Sequence, residues 1–127
     1  MRSKTLTVFL ALVVLAGSSM VAVAAEPVVL RVLVIESDNI DGYLKELDKS
    51  QAMRKRLGSQ SVIRVWRARF AGDNAGAVVV SVEYPSLEAM ARDEAKGAAD
   101  PEWSTWLKNL EKMRKIVSDS LYTELKP

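Results

Sequence analysis

The chain has 127 residues, 18 lysines and arginines against 16 aspartates and glutamates, and neither histidine nor cysteine. Without histidine there is no Ser-His or Cys-His triad and no histidine-bound zinc or haem, and without cysteine there is no disulfide. A small exported domain of this composition must be held by packing or by self-association.

Residues 1–25, MRSKTLTVFLALVVLAGSSMVAVAA, have a basic start at Arg2 and Lys4, an apolar run from Val8 to Ala16 and a small-residue finish. That is the pattern of a cleaved secretory signal, with cutting allowed after Ala24 or Ala25 and Ala25 preferred. The alternative is an uncleaved anchor. Gly17, Ser18 and Ser19 interrupt the run, however, and a spanning helix wants about 20 strongly apolar residues. The expected location is periplasmic or secreted, with no membrane attachment after cleavage. Arg2 and Lys4 are the only charged residues in the segment, so they account for the whole surplus of +2, and residues 26–127 are balanced. That balance gives no support to nucleic-acid or anionic-lipid binding. Residues 26–127 suffice for one domain and are too few for two.

The first predicted element is a β-branched strand over Val28–Glu36, bounded by Pro27 and Ser37. Asp38 or Asn39 then caps a helix over Ile40–Leu57, with Tyr43 on its apolar face and Gly58 placed to end it. Two strands, Val62–Phe70 and Ala77–Tyr84, flank the hairpin signal Gly72-Asp73-Asn74-Ala75-Gly76. Ser86 caps a short helix that weakens at Gly97-Ala98-Ala99, and Asp100-Pro101-Glu102 restarts it with three independent start signals. Trp103, Trp106, Leu107, Leu110, Met113 and Val117 recur at helical spacing to about Ser118. Ser120–Leu125 is a last, short strand.

The order βαββαβ, with its second helix in two pieces, is the ferredoxin-like α+β pattern: an antiparallel sheet with helices on one face. Strand alternation then sorts the side chains. One parity places Leu30, Val32, Val34, Trp66, Ala68, Phe70, Val78, Val80, Val82 and Tyr84 under the helices. The uncovered face then carries Val29, Arg31, Leu33, Ile35, Val65, Arg67, Arg69, Val79, Ser81 and Glu83. A slip of one residue on the second strand would instead put Arg64 and Trp66 on the uncovered face. An uncovered face half composed of valine, leucine and isoleucine calls for a partner, and a second copy is the economical one.

Several other patterns have plain explanations. Arg54-Lys55-Arg56 closes a helix, where cations complement the macrodipole. Asp41/Lys45, Glu88/Arg92 and Glu111/Lys115 are surface pairs at i, i+4. Asp73-Asn74-Ala75-Gly76 has too few carboxylates for a calcium loop, and the glycines lack phosphate-binding spacing. No metal and no cofactor is expected.

The strand exit Glu83-Tyr84-Pro85-Ser86 and the helix start Ala99-Asp100-Pro101-Glu102-Trp103 resemble those of NIPSNAP-like and antibiotic-biosynthesis-monooxygenase-like members of the dimeric α+β barrel superfamily. The resemblance spans Val28–Leu125 and implies two ferredoxin-like subunits with their sheets face to face. Superfamily chemistry includes cofactor-free oxygenation and haem degradation. The haem-degrading pattern of asparagine, tryptophan and histidine finds Asn39 and Trp66 here but no histidine. The expected function is a homodimeric small-molecule-binding module with a cavity between the paired sheets. Arg31, Arg67, Arg69, Glu83, Ser81, Tyr43 and Trp66 would meet a small apolar or phenolic ligand. Arginine–glutamate pairing across the hairpin is the competing, purely structural role for that cluster. The alternatives are a cofactor-independent monooxygenase acting on a phenol or quinol, and a non-catalytic interaction or stress-related protein.

Overall fold

The computed structural model describes residues 25–126, so the signal read over residues 1–25 lies, apart from Ala25, outside the described residues. Strand β1 runs Val29–Glu36, followed by helix α1 at Ile40–Arg56 and strand β2 at Val62–Arg67. Strand β3 occupies Val78–Tyr84, helices α2 and α3 occupy Leu87–Ala99 and Pro101–Glu111, and strand β4 occupies Lys115–Thr123. The four strands form one antiparallel sheet in the order β2-β3-β1-β4, as the ferredoxin-like pattern requires.

The punctuation works as read. The Asn39 side chain accepts from the Gly42 N–H at the start of α1, and the Ser86 side chain accepts from the Ala89 N–H at the start of α2. Asp100 serves two helices. Its N–H closes α2 on the Gly97 carbonyl, its carboxylate accepts from the Trp103 N–H to open α3, and Pro101 sits at the first helical position. Gly97 is buried where the Trp103 ring crosses it, and a Cβ there would stand 2.9 Å from the indole nitrogen. The two helix pieces therefore meet closely at a residue with no side chain.

Strand registers fix the faces. Toward the helices lie three rows across β2, β3, β1 and β4: Arg67-Val78-Ile35-Ile116, Val65-Val80-Leu33-Asp119 and Ile63-Val82-Arg31-Leu121. The uncovered face has the rows Val62-Glu83-Leu30-Tyr122, Arg64-Ser81-Val32-Ser120 and Trp66-Val79-Val34-Ser118. The parity predicted for β3 matches, the slipped register of β2 is the one adopted, and β1 is reversed. Both rows of β1 are apolar apart from Arg31 and the terminal Glu36, so period-two patterning carried little information there, and Arg31 faces the helices because Asp119 and Glu94 receive its charge.

The core joins Leu33, Ile35, Val78 and Val80 of the sheet to Tyr43, Leu47 and Met53 of α1 and Trp106 and Leu110 of α3. Trp106 adds a hydrogen bond from its indole N–H to the Glu46 carbonyl, 2.8 Å away. Two expectations are corrected. Phe70, read as core, is fully exposed in the hairpin loop beyond the end of β2. The last helix stops at Glu111 rather than near Ser118, because Lys115-Ile116-Val117-Ser118 can pair along the free edge of β1 and its β-branched residues favour the strand. We expect Ile35→Ala, at a side chain only 1 % exposed, to cost about 3 kcal/mol in urea unfolding, and Phe70→Ala about 0.5 kcal/mol or less.

Candidate functional site

Between the helices and the sheet the subunit holds a cavity of about 300 Å³. Its sheet wall is Leu33, Ile63, Val80 and Val82, and its helix wall includes Leu47, Trp103, Trp106, Leu107 and Leu110. The two indole rings lie 4.8 Å apart, tilted by 47°. These walls are apolar because three strands and two amphipathic helices all turn their core rows toward one another. The exposed residues Glu94 and Ala98 on α2 also border the cavity, so it opens to solvent along that helix.

Polar groups line part of the same cavity. The Arg54 guanidinium donates to the carbonyl and the hydroxyl of Ser61, and the Ser59 hydroxyl donates to the Asp93 carboxylate. Burial lowers the Arg54 pKa from its ordinary value, with the charge of Asp93 among the influences opposing the shift. Burial raises the Tyr84 phenol above its ordinary value, while the nearby Arg31 charge pulls against that shift. Arg31 itself makes a two-pronged hydrogen bond to Asp119, at 3.0 and 2.7 Å, and lies 3.5 Å from Glu94. That hydrogen bond holds the Asp119 carboxyl below the usual range and the guanidinium above its own. Arg114, just after α3, completes the cationic lining. Among the described residues no cluster of three or more metal-ligating side chains occurs, and no helix is long and apolar enough to cross a membrane.

The uncovered sheet face presents a second surface. Trp66 donates from its indole nitrogen to the Ser81 hydroxyl at 2.8 Å, and Arg64 meets Glu83 at 3.4 Å. Val62, Trp66 and Tyr122 are exposed by 42, 53 and 56 %, so the face remains largely apolar with the corrected registers.

The predicted site residues divide between these surfaces. Ser81, Glu83 and Trp66 come together on the uncovered face, but Arg64 takes the place expected for Arg67 and Arg69. Arg67 donates instead to the Gly76 carbonyl at the hairpin, and Arg69 lies exposed beyond the end of β2. Arg31 lies on the opposite face of the sheet, in the cavity lining. Tyr43 is fully buried beneath α1, where its hydroxyl accepts from Arg114.

No family profile matches the sequence, and no curated protein matches it. Solved structures do match the fold. A NIPSNAP family protein from Agrobacterium tumefaciens, 18 % identical, superposes with a TM-score of 0.60 over 80 % of this chain and 87 % of its own. A NIPSNAP-like domain protein from Burkholderia xenovorans, 17 % identical, gives 0.58 over 80 % and 84 %. SnoaB, a cofactor-independent oxygenase from Streptomyces nogalater, 13 % identical, gives 0.54 over 82 % and 97 %. These structures share with this chain the ferredoxin-like α+β fold.

In this subunit the polar groups of the cavity that sequence reasoning passed over are Arg54, Ser59, Ser61, Asp93 and Arg114, together with Tyr84, which had been assigned to the core. Two of them carried a legible signal. Arg54 continues the stripe Leu47, Ser50, Arg54, Leu57, and Arg114 continues Leu107, Leu110, Arg114, each at steps of three and four residues. A cation on an apolar stripe either extends its head to water or finds polar partners inside, and Arg54 does the latter through Ser61. Because the Asp119 pKa is depressed on folding, its pairing with Arg31 stabilises fully above the unfolded carboxyl value of about 4 and is lost as pH falls through the folded value. We therefore expect the urea midpoint of the native chain to fall more steeply below about pH 4 than that of Asp119→Asn, measured by circular dichroism.

Proposed function

We propose that this chain is an exported, homodimeric small-molecule-binding module that takes one ligand in the helix-side cavity of each subunit. The observation that carries this reading is the cavity itself, about 300 Å³ with apolar walls and a minority of polar groups, which is the usual make-up of a small-molecule site. Its ligand is largely apolar with one hydroxyl or anionic group. This places the ligand on the other side of the sheet from the inter-sheet cavity expected from sequence.

Dimerisation is supported separately by the uncovered face. Of the twelve residues in its three rows, seven are apolar: Val62, Trp66 and Tyr122 are exposed on the two edge strands, and Leu30, Val32 and Val79 lie half-buried between them. Pairing this face with its copy would shield it while leaving both helix-side cavities free. Export rests on the basic, apolar and small-residue segments of residues 1–25.

A second reading, cofactor-independent oxygenation of a phenol or quinol, is favoured by the company of Tyr84, Arg54 and the Trp103–Trp106 ring pair around one cavity. A cation beside a dry pocket stabilises a phenolate, the electron-rich form that reacts with oxygen. SnoaB, which shares the fold, is a cofactor-independent oxygenase.

Native mass spectrometry of protein taken from its own compartment is expected to show a dimer with ligand mass retained. Filling the cavity with Val82→Phe is expected to remove that mass and leave the dimer. Trp66→Glu is expected to give monomers by light scattering. A bare dimer from native material would count against the binding reading. Oxygen uptake with hydroxyaromatic compounds, lost in Val82→Phe, would move the assignment to the oxygenase.

A further inference from the structure

Three guanidinium groups line the helix-side cavity, and their partners differ. Arg31 is neutralised by Asp119 and Glu94. Arg54 is engaged by the carbonyl and hydroxyl of Ser61, with the Asp93 charge close by. Arg114 forms no salt bridge among the described residues. One of its terminal nitrogens donates to the Tyr43 hydroxyl at 3.1 Å, and its central carbon stands 5.9 Å from the Tyr43 ring. Its Nε is buried and donates to nothing among the described residues, whereas buried guanidinium nitrogens are ordinarily satisfied.

The nearest helpful carboxylate does not resolve this. Asp119 senses the charge of Arg114, but Arg31 already engages both of its oxygens. Tyr43 is itself fully buried and holds the guanidinium from the core side, through its ring and its hydroxyl. A cation fixed in this way borders the apolar cavity and has no carboxylate within salt-bridge distance among the described residues.

We infer that Arg114 is the anchoring residue of the cavity and that the ligand is an apolar monocarboxylate, its carboxylate on Arg114 and its hydrocarbon body between the sheet and the tryptophans. This rests on the cavity reading above and narrows it from any small apolar molecule to an acid. A single uncommitted cation balances one negative charge, so a dianionic phosphate would leave a buried charge unmatched. The volume of about 300 Å³ limits the body to a medium-length chain or a small ring system.

Decanoate and decanol form a matched pair of probes that differ in charge at one end. Isothermal titration at neutral pH is expected to show the native dimer binding decanoate about tenfold or more tighter than decanol, since charge-assisted hydrogen bonds are the strong ones. Arg114→Gln is expected to abolish that preference and leave decanol affinity within about threefold. Arg54→Gln is expected to keep it. Should Arg114→Gln fail to fold by circular dichroism, Arg114→Lys carries the test, because it retains charge but loses the Nε donor and is expected to lose most of the preference. If decanol binds and decanoate binds no tighter, or if Arg54→Gln rather than the Arg114 variants removes the preference, the assignment of Arg114 falls while the cavity reading stands. Binding of neither probe to the native protein overturns both.

Discussion

The structure depends on a central strand that is apolar on both sides. β1 lies between β3 and β4, with Leu33 and Ile35 facing the helices and Leu30, Val32 and Val34 facing away. A strand of this kind is stable only where both of its faces leave water. One face is met by α1 and α3, whose stripes supply Tyr43, Leu47, Trp106 and Leu110. The other is only partly screened within the subunit, by the Trp66 ring leaning over Ser81, which is 6 % exposed. The exposed apolar side chains of that face therefore stand on β2 and β4, at its two edges.

The helix layer achieves its cover by being broken. Asp100 lets the chain turn between α2 and α3 by closing one helix and capping the next. Arg56, at the end of α1, clasps the same carboxylate at 3.0 and 2.7 Å, tying all three helices to one residue. Its hydrogen bonds, with that of the Trp103 N–H, hold the Asp100 carboxyl below its ordinary pKa. The break also leaves α2 lightly packed, with only Ala89 and Gly97 buried, and it is beside α2 that the cavity opens.

Most of the fold was legible in the chain because its elements end at residues with strong local preferences. Pro27, Asn39, Gly58, Pro85, Ser86 and Asp100-Pro101 act within a turn of their own position, so no knowledge of distant partners is needed to place them. Strand parity was less legible. In β3 the polar residues Ser81 and Glu83 mark the outer row, but β1 has no such mark within its length, and its Arg31 sits on the helix side because Glu94 and Asp119, far away in sequence, await it. The end of the last helix was illegible for a related reason. Val117 continues the helical stripe, and only the unpaired edge of β1 makes the strand the better choice for it.

The candidate site followed the fate of that parity. Reversing β1 carried Arg31 away from Ser81 and Glu83 and brought it to a cavity whose other cations, Arg54 and Arg114, come from positions that look like helix-end charges when taken singly. What separates a helix-end charge from a ligand-facing one is the phase of the residue on its helix combined with the partner it finds. Arg56 and Arg54 are two residues apart on α1. Arg56 points outward to Asp100 and Glu102, whereas Arg54 points inward to Ser61. Arg114, past the end of α3, lines the same cavity. The cavity therefore joins apolar walls to three guanidinium groups, of which Arg31 is paired with Asp119 and Glu94, Arg54 has the Asp93 charge near it, and Arg114 forms no salt bridge among the described residues.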